Sequence, residues 1–178
     1  MKKNLILFVV LLNIGLQLHS QNFSKVFFKS SSGDTILLRS LLGKKTLFFV
    51  LPLDKNDQHY GQLQAFKERY QDTIRIVGIL SIEDGFRAAN SSSIQKLYSE
   101  MGIILTEAMY TRKSSGHGQS SLFRWLTNKK QNLHYDMDAT GVGHMAFLNE
   151  SGRLFAVLPS QASLASPIID KIVHSKAP

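Results

Sequence analysis

Two stretches, Thr46-Leu47-Phe48-Phe49-Val50-Leu51 and Ile74-Arg75-Ile76-Val77-Gly78-Ile79-Leu80, constrain the fold more than anything else in the chain. A nearly unbroken apolar run is the mark of a strand covered on both faces, so the first is read as a central strand. The second, β-branched and followed by a polar Ser-rich loop over 81–91, reads as its parallel partner. Between them Tyr60, Leu63, Phe66 and Tyr70 fall on one helical face, with Asn56 or Asp57 placed to cap it.

The flanking segments extend this unit. Residues 23–29 and 35–39, separated by Ser31-Ser32-Gly33-Asp34, read as a hairpin. Ile94, Leu97, Tyr98 and Met101 recur at helical spacing, with Ser92 able to cap and Gly102 at the C-terminal position. Leu122, Trp125 and Leu126 mark a short helix running to Lys129-Lys130, and residues 131–143 read as loop. His144–Asn149 and Arg153–Leu158 form a second hairpin, and Ser166-Pro167 opens a last helix carrying Ile168, Ile169, Ile172 and Val173. The order describes an α/β sandwich with a mixed central sheet.

Residues 1–20 have a Lys2-Lys3 head, an apolar run from Leu5 to Leu12 and a small residue, Ser20, before Gln21. This is the pattern of a secretory signal peptide. Asn13 and Gln17 interrupt the run, and about twenty apolar residues are needed to cross a bilayer. The expected product is a single domain, 21–178, in a bacterial periplasm or outside the cell, with no membrane span.

Composition bears most on chemistry. The chain has no cysteine, which excludes a thiol nucleophile, a CxxC redox pair, a disulfide and a thiolate metal site. The formal net charge is +8, two units of it from Lys2 and Lys3. The basic positions Lys44-Lys45, Arg112, Lys113 and Lys129-Lys130 are scattered, without a clustered stripe, and read as a solvated face rather than a nucleic-acid site.

Four segments resemble the glutathione peroxidase branch of the thioredoxin fold. Leu42-Gly43-Lys44-Lys45 before a buried strand is similar to that family's lead-in to its first core strand. His59-Tyr60-Gly61-Gln62-Leu63-Gln64-Ala65-Phe66 resembles the helix after the catalytic loop. Ser121-Leu122-Phe123-Arg124-Trp125-Leu126 is similar to a Pro-Leu-Phe-Lys-Trp-Leu segment, and Ala146 to Arg153 resembles the final hairpin. The resemblance implies a thioredoxin-like, glutathione peroxidase-type three-layer α/β sandwich over nearly the whole of 21–178.

The catalytic set does not carry over. The position of the family's peroxidatic cysteine or selenocysteine falls at Asp54, and that of the assisting glutamine near Ile82. The Trp-Asn pair falls at Gly141-Val142, and a carboxylate at position 54 cannot attack a peroxide O–O bond as a thiolate does. Asp54 is assigned instead to stabilising the N-terminus of the following helix, and Trp125 to packing. The resulting expectation is an exported binding or envelope accessory module, without cofactor, whose partner is an envelope or extracellular protein.

An alternative of another class uses His117, His134, His144, Asp136 and Asp138, which lie in two late loops and have the donor types that suit zinc or copper. Their spacing matches no recognised ligand motif, which favours solvated loop residues. Gly116-His117-Gly118-Gln119-Ser120 faintly resembles a nucleophile elbow but lacks the second glycine.

Overall fold

The computed structural model describes residues 23–175; the proposed signal peptide, 1–20, lies outside the described residues. Five strands form a mixed sheet: β3 (Lys45–Val50), β4 (Ile74–Ser81), β5 (Ile104–Met109), β6 (Met145–Leu148) and β7 (Leu154–Leu158), in spatial order β5-β4-β3-β6-β7. β3 pairs parallel with β4, and β4 with β5; β6 and β7 run antiparallel. All six residues of β3 are buried, Lys45 and Thr46 along with the apolar run from Leu47 to Val50, which needs cover on both faces. A separate pair, β1 (Phe27–Lys29) and β2 (Thr35–Leu37), is antiparallel and reaches β5 through a Ser30–Thr106 bridge.

Alternation along the strands divides the core. Leu47 and Phe49 of β3, Ile76 and Leu80 of β4 and Phe147 of β6 face α1 (Gln58–Tyr70), α2 (Ser91–Tyr98) and α5 (Pro167–His174). Phe48 and Val50, Val77 and Ile79, and Ala146 and Leu148 face α3 (Ser121–Thr127) and Phe28 of β1. The result is a three-layer α/β sandwich. Trp125 is buried in the second cluster, 5.8 Å from the Phe23 ring, and is a packing residue as its sequence position implies.

Four local expectations are corrected. Residues 23–25 are helical, so the first strand begins only at Phe27. The second strand stops at Leu37 because Leu38–Leu41 wind into a 3-10 turn that buries Leu38 and Leu41. The helix expected to run to Lys130 breaks at Asn128, whose extended ψ of 110° ends α3 and whose side chain accepts from Lys130 N to start α4 (Lys129–Asn132). Finally, β5 was not distinguished in the sequence, since Thr106 and Glu107 interrupt its apolar pattern. Thr106 is nevertheless buried, and its Oγ1 accepts from Leu80 N at the irregularity between β4 and β5.

Lys45 also departs from the solvated basic face to which its sequence assigns it. It is 4% exposed, and its Nζ donates to Val173 O at 2.7 Å, to Ile172 O at 3.3 Å and to Ser175 O. A cation is thus set against the carbonyls that end α5, where the helix dipole is negative, tying the first core strand to the last helix. Lys45→Met keeps the apolar stem but orphans these acceptors. It is expected to cost about 2 kcal/mol of unfolding free energy, the scale for hydrogen bonds to a charged group, read as a lowered urea midpoint at unchanged m value. A midpoint within error of the parent would show that the carbonyls are satisfied without the ammonium.

Candidate functional site

In open α/β sheets ligands and catalytic groups gather beyond the carboxyl ends of the parallel strands. Here that edge is made by residues 51–57 after β3, 81–84 after β4, Thr111 and Arg112 after β5, and the segment 139–144 that leads into β6. Gly143 N donates to Val50 O at 2.9 Å and Val50 N to His144 O at 3.0 Å, which fastens the last segment against β3.

Asp54 is exposed in its own turn, its Oδ1 accepting from Asn56 N at 2.9 Å and Asn56 Nδ2 at 3.0 Å. The carboxylate that serves the helix is Asp57, whose Oδ1 accepts from His59 N at 2.8 Å. Of the two cap candidates, Asn56 and Asp57, it is Asp57 that caps α1, while Asp54, assigned to stabilising this helix end, gives its carboxylate to the turn at 54–56. His59 is held at both ring nitrogens: Nδ1 lies 2.7 Å from Asp57 Oδ1 and Nε2 3.1 Å from Ser160 O. It clasps the start of α1 to the segment after β7.

A polar cluster fills the centre of this edge. Ser81 Oγ donates to Asp84 Oδ2 at 2.6 Å, and Asp84 Oδ1 is ion-paired with Arg112. Glu83 accepts from Thr111 N and Arg112 N, both at 2.8 Å, so two adjacent acids just after β4 hold the segment that follows β5. Arg112 Nε is the one buried side-chain nitrogen or oxygen without a hydrogen-bond partner among the described residues. Nothing in the sequence pairs Asp84 with Arg112, since they lie 28 positions apart and only the β4–β5 register joins them.

Gly141 meets this cluster. A Cβ there would stand 3.1 Å from Arg112 Nη2 and 3.2 Å from Asp84 Oδ1, and its φ of +112° disfavours any side chain. The ion pair and the glycine occupy the place where the resemblance puts an indole. Ile82, partly buried, contributes only backbone here: its N–H donates to Met109 O, and its carbonyl accepts from Arg87 Nη1 at 2.8 Å. Val142 is partly buried and has no polar side-chain group.

The late-loop His and Asp residues do not converge. His117 is exposed and stacks on Tyr110 at 4.5 Å, and His134 Nε2 accepts from Arg153 Nε at 2.9 Å. Asp136 pairs with Lys113 Nζ at 2.6 Å, while Asp138 Oδ1 accepts from Lys113 N and Ala139 N, both at 2.9 Å. Among the described residues there is no group of three or more His, Cys, Asp or Glu able to hold a metal ion. His144 is not a solvated loop residue: it is 3% exposed, with Nδ1 3.2 Å from Thr140 Oγ1. Burial lowers its pKa to about 4, partly opposed by the Asp138 charge. Ser120, at the weak elbow motif, caps α3 by accepting from Phe123 N at 3.2 Å.

Sheet order and layering define a thioredoxin-like α/β protein. Solved structures bear this out. Trgpx in its apo form superposes with a TM-score of 0.59 at 16% identity, over 85% of this chain and 92% of that one. T. cruzi GPX1 gives 0.59 at 11% identity, over 83% and 91%. A thioredoxin-like protein from Aeropyrum pernix gives 0.57 at 11%, over 90% and 94%. No protein-family model matches the chain, and no curated protein matches it. The structural neighbours are thus glutathione peroxidase-like and thioredoxin-like, while this chain has no cysteine with which to do thiol chemistry. Among the described residues no helix is long and apolar enough to cross a membrane.

Proposed function

We infer that this chain is an exported thioredoxin-fold domain that acts as a non-catalytic binding or accessory module for a protein of the cell envelope or exterior. The observation that carries the reading is the state of the sheet edge where a thiol peroxidase would work. Position 54 is a solvent-facing carboxylate, positions 82 and 141 lack a side-chain donor, and the Asp84–Arg112 pair fills the space beside Gly141. Peroxide reduction through a sulfenic acid needs a sulfur nucleophile, and this edge has none. Export is supported by the composition of residues 1–20, and periplasmic or secreted placement follows from it.

The module works in this reading without metal or organic cofactor, and with no nucleic-acid partner. Intact-mass measurement of the protein from its native compartment tests the export half: the expected product begins at Gln21. Material that retains residues 1–20 in a membrane fraction would contradict it. Metal analysis of the same preparation tests the rest. Zinc or copper near one equivalent, lost on His144→Ala, would replace this reading with the metal-dependent one.

A further inference from the structure

The β1–β2 ribbon has one face in the core and one in solvent. Phe28 is buried in the second core cluster, and Ile36, its register partner, packs against the same cluster. Side chains alternate along a strand, so the opposite face carries the pairs Phe27–Leu37 and Lys29–Thr35. Phe27 is 42% exposed, one of the few large apolar side chains left in solvent, and Leu37 beside it is half-buried.

Cations surround this apolar pair. Lys29 follows Phe27 by two residues on the same face, and Leu38 N donates to Val26 O at 2.9 Å, which continues the pairing so that Lys25 and Arg39 come at the other end of the ribbon. Arg124 of α3 shares a cleft of about 310 Å³ with Lys25, and no carboxylate lines it. All four side chains are exposed, and none has an ion pair or a hydrogen bond among the described residues. Two acids lie in the same region. Asp34 is turned into its own loop, where its Oδ2 accepts from Ser32 Oγ at 2.7 Å, and it lines a different cleft with Ile36. Glu107 follows Thr106, which bridges Ser30, and makes no ion pair with Lys29. The face is therefore basic around an apolar centre.

We propose that this face docks on an anionic lipid bilayer, with Phe27 entering the interface and Lys25, Lys29, Arg39 and Arg124 lying along the headgroups. Charge complementarity selects an anionic surface, since each cation near one adds to the attraction. Shape selects a bilayer over a peptide. A peptide anchor is held in a pocket or groove, whereas Phe27 and Leu37 line none of the clefts of about 310, 360 and 670 Å³. An aromatic side chain on a ribbon between long basic side chains needs only an apolar interior beneath charged headgroups. One aromatic anchor with four cations gives weak, reversible association. The inference goes beyond the proposed function, and each fails separately: peroxide turnover would defeat the accessory reading without touching this face, which lies away from residues 54, 82 and 141.

The test is co-sedimentation of the purified protein with vesicles of phosphatidylcholine alone and of phosphatidylcholine with about one phosphatidylglycerol in three. Partition should be at least about tenfold stronger onto the anionic vesicles and should fall steeply with added salt. Phe27→Thr, which suits an exposed strand, should weaken it by about tenfold without lowering the melting temperature. Lys29→Gln should weaken it by about fivefold and flatten the salt dependence. Equal partition onto both vesicles would overturn the proposal, as would unchanged partition of a folded Phe27→Thr variant. Binding of polyglutamate that is as tight as vesicle binding and indifferent to Phe27→Thr would show that the face reads charge alone, and would also overturn it. So would the absence of any vesicle binding, whether the face is idle or covered by residues 1–22, a second copy or an acidic protein.

Discussion

Gly143→Ala is expected to lose about 3 kcal/mol of unfolding free energy, roughly 6–12 °C in melting temperature for a domain of this size. The added Cβ would stand 2.4 Å from both Cδ2 and Nε2 of His59 and 3.1 Å from Ser160 O, while φ is +86°. The backbone contributes about 1–2 kcal/mol of this cost. The rest arises because His59 cannot swing aside without breaking its contacts to Asp57 and Ser160, so the clasp between α1 and the segment after β7 is lost. Gly102→Ala is the control. Its φ is +60° and nothing lies within 4 Å of the added carbon, so it reports the backbone cost alone. Equal losses in the two variants would show that the His59 ring yields freely and that the clasp contributes nothing.

The second large effect is a fall in stability on mild acidification, centred on His144. Its folded pKa of about 4 lies below the unfolded value near 6.5, because burial penalises the imidazolium. A depressed folded pKa means that the unfolded state binds more protons between these values. The stabilising term is therefore fully present above about pH 6.5 and is lost as the pH falls toward 4. A difference of this size amounts to about 3 kcal/mol. Asp136 and Asp170, whose carboxyls are held below their ordinary range by hydrogen bonds from Lys113 and Tyr70, lose their contribution only at lower pH. Urea unfolding of the parent and His144→Phe at pH 7.5 and pH 4.5 separates the terms. The parent should lose much more stability than the variant over this interval, and parallel losses would place the acid sensitivity elsewhere.

The sheet edge owes its geometry to features of unequal visibility in the sequence. The β3–α1–β4 unit is legible because a strand buried on both faces needs unbroken apolar sequence, and because α1 carries its apolar residues on one face. Gly102 marks the end of the second helical segment in the left-handed conformation that its position suggests. The closing hairpin and α5 also follow their patterns, with Pro167 at the start of the helix.

The misses have a common physical origin: a distant partner decides the outcome. Thr106 looks like a break in a strand until its hydroxyl is seen to satisfy Leu80 N. Lys45 looks solvated because lysines usually are, and only the end of α5 provides carbonyls to bury it. His144 looks like a loop donor for a metal, yet the β3 register carries it into the interior. The absence of cysteine was legible at once, and with it the loss of thiol chemistry. The ion pair beside Gly141 was not, since Asp84 and Arg112 meet only after β4 and β5 have paired.

Steady-state peroxide consumption by the purified protein, with glutathione or thioredoxin as electron donor and a chelator present, addresses the central claim most directly. The expected result is a rate indistinguishable from buffer, with hydrogen peroxide and with an organic hydroperoxide alike, because the chain has no sulfur nucleophile that could be regenerated by either donor. Multiple turnovers that persist after chelation would contradict it and would mean that this thioredoxin-like edge reduces peroxide by another group.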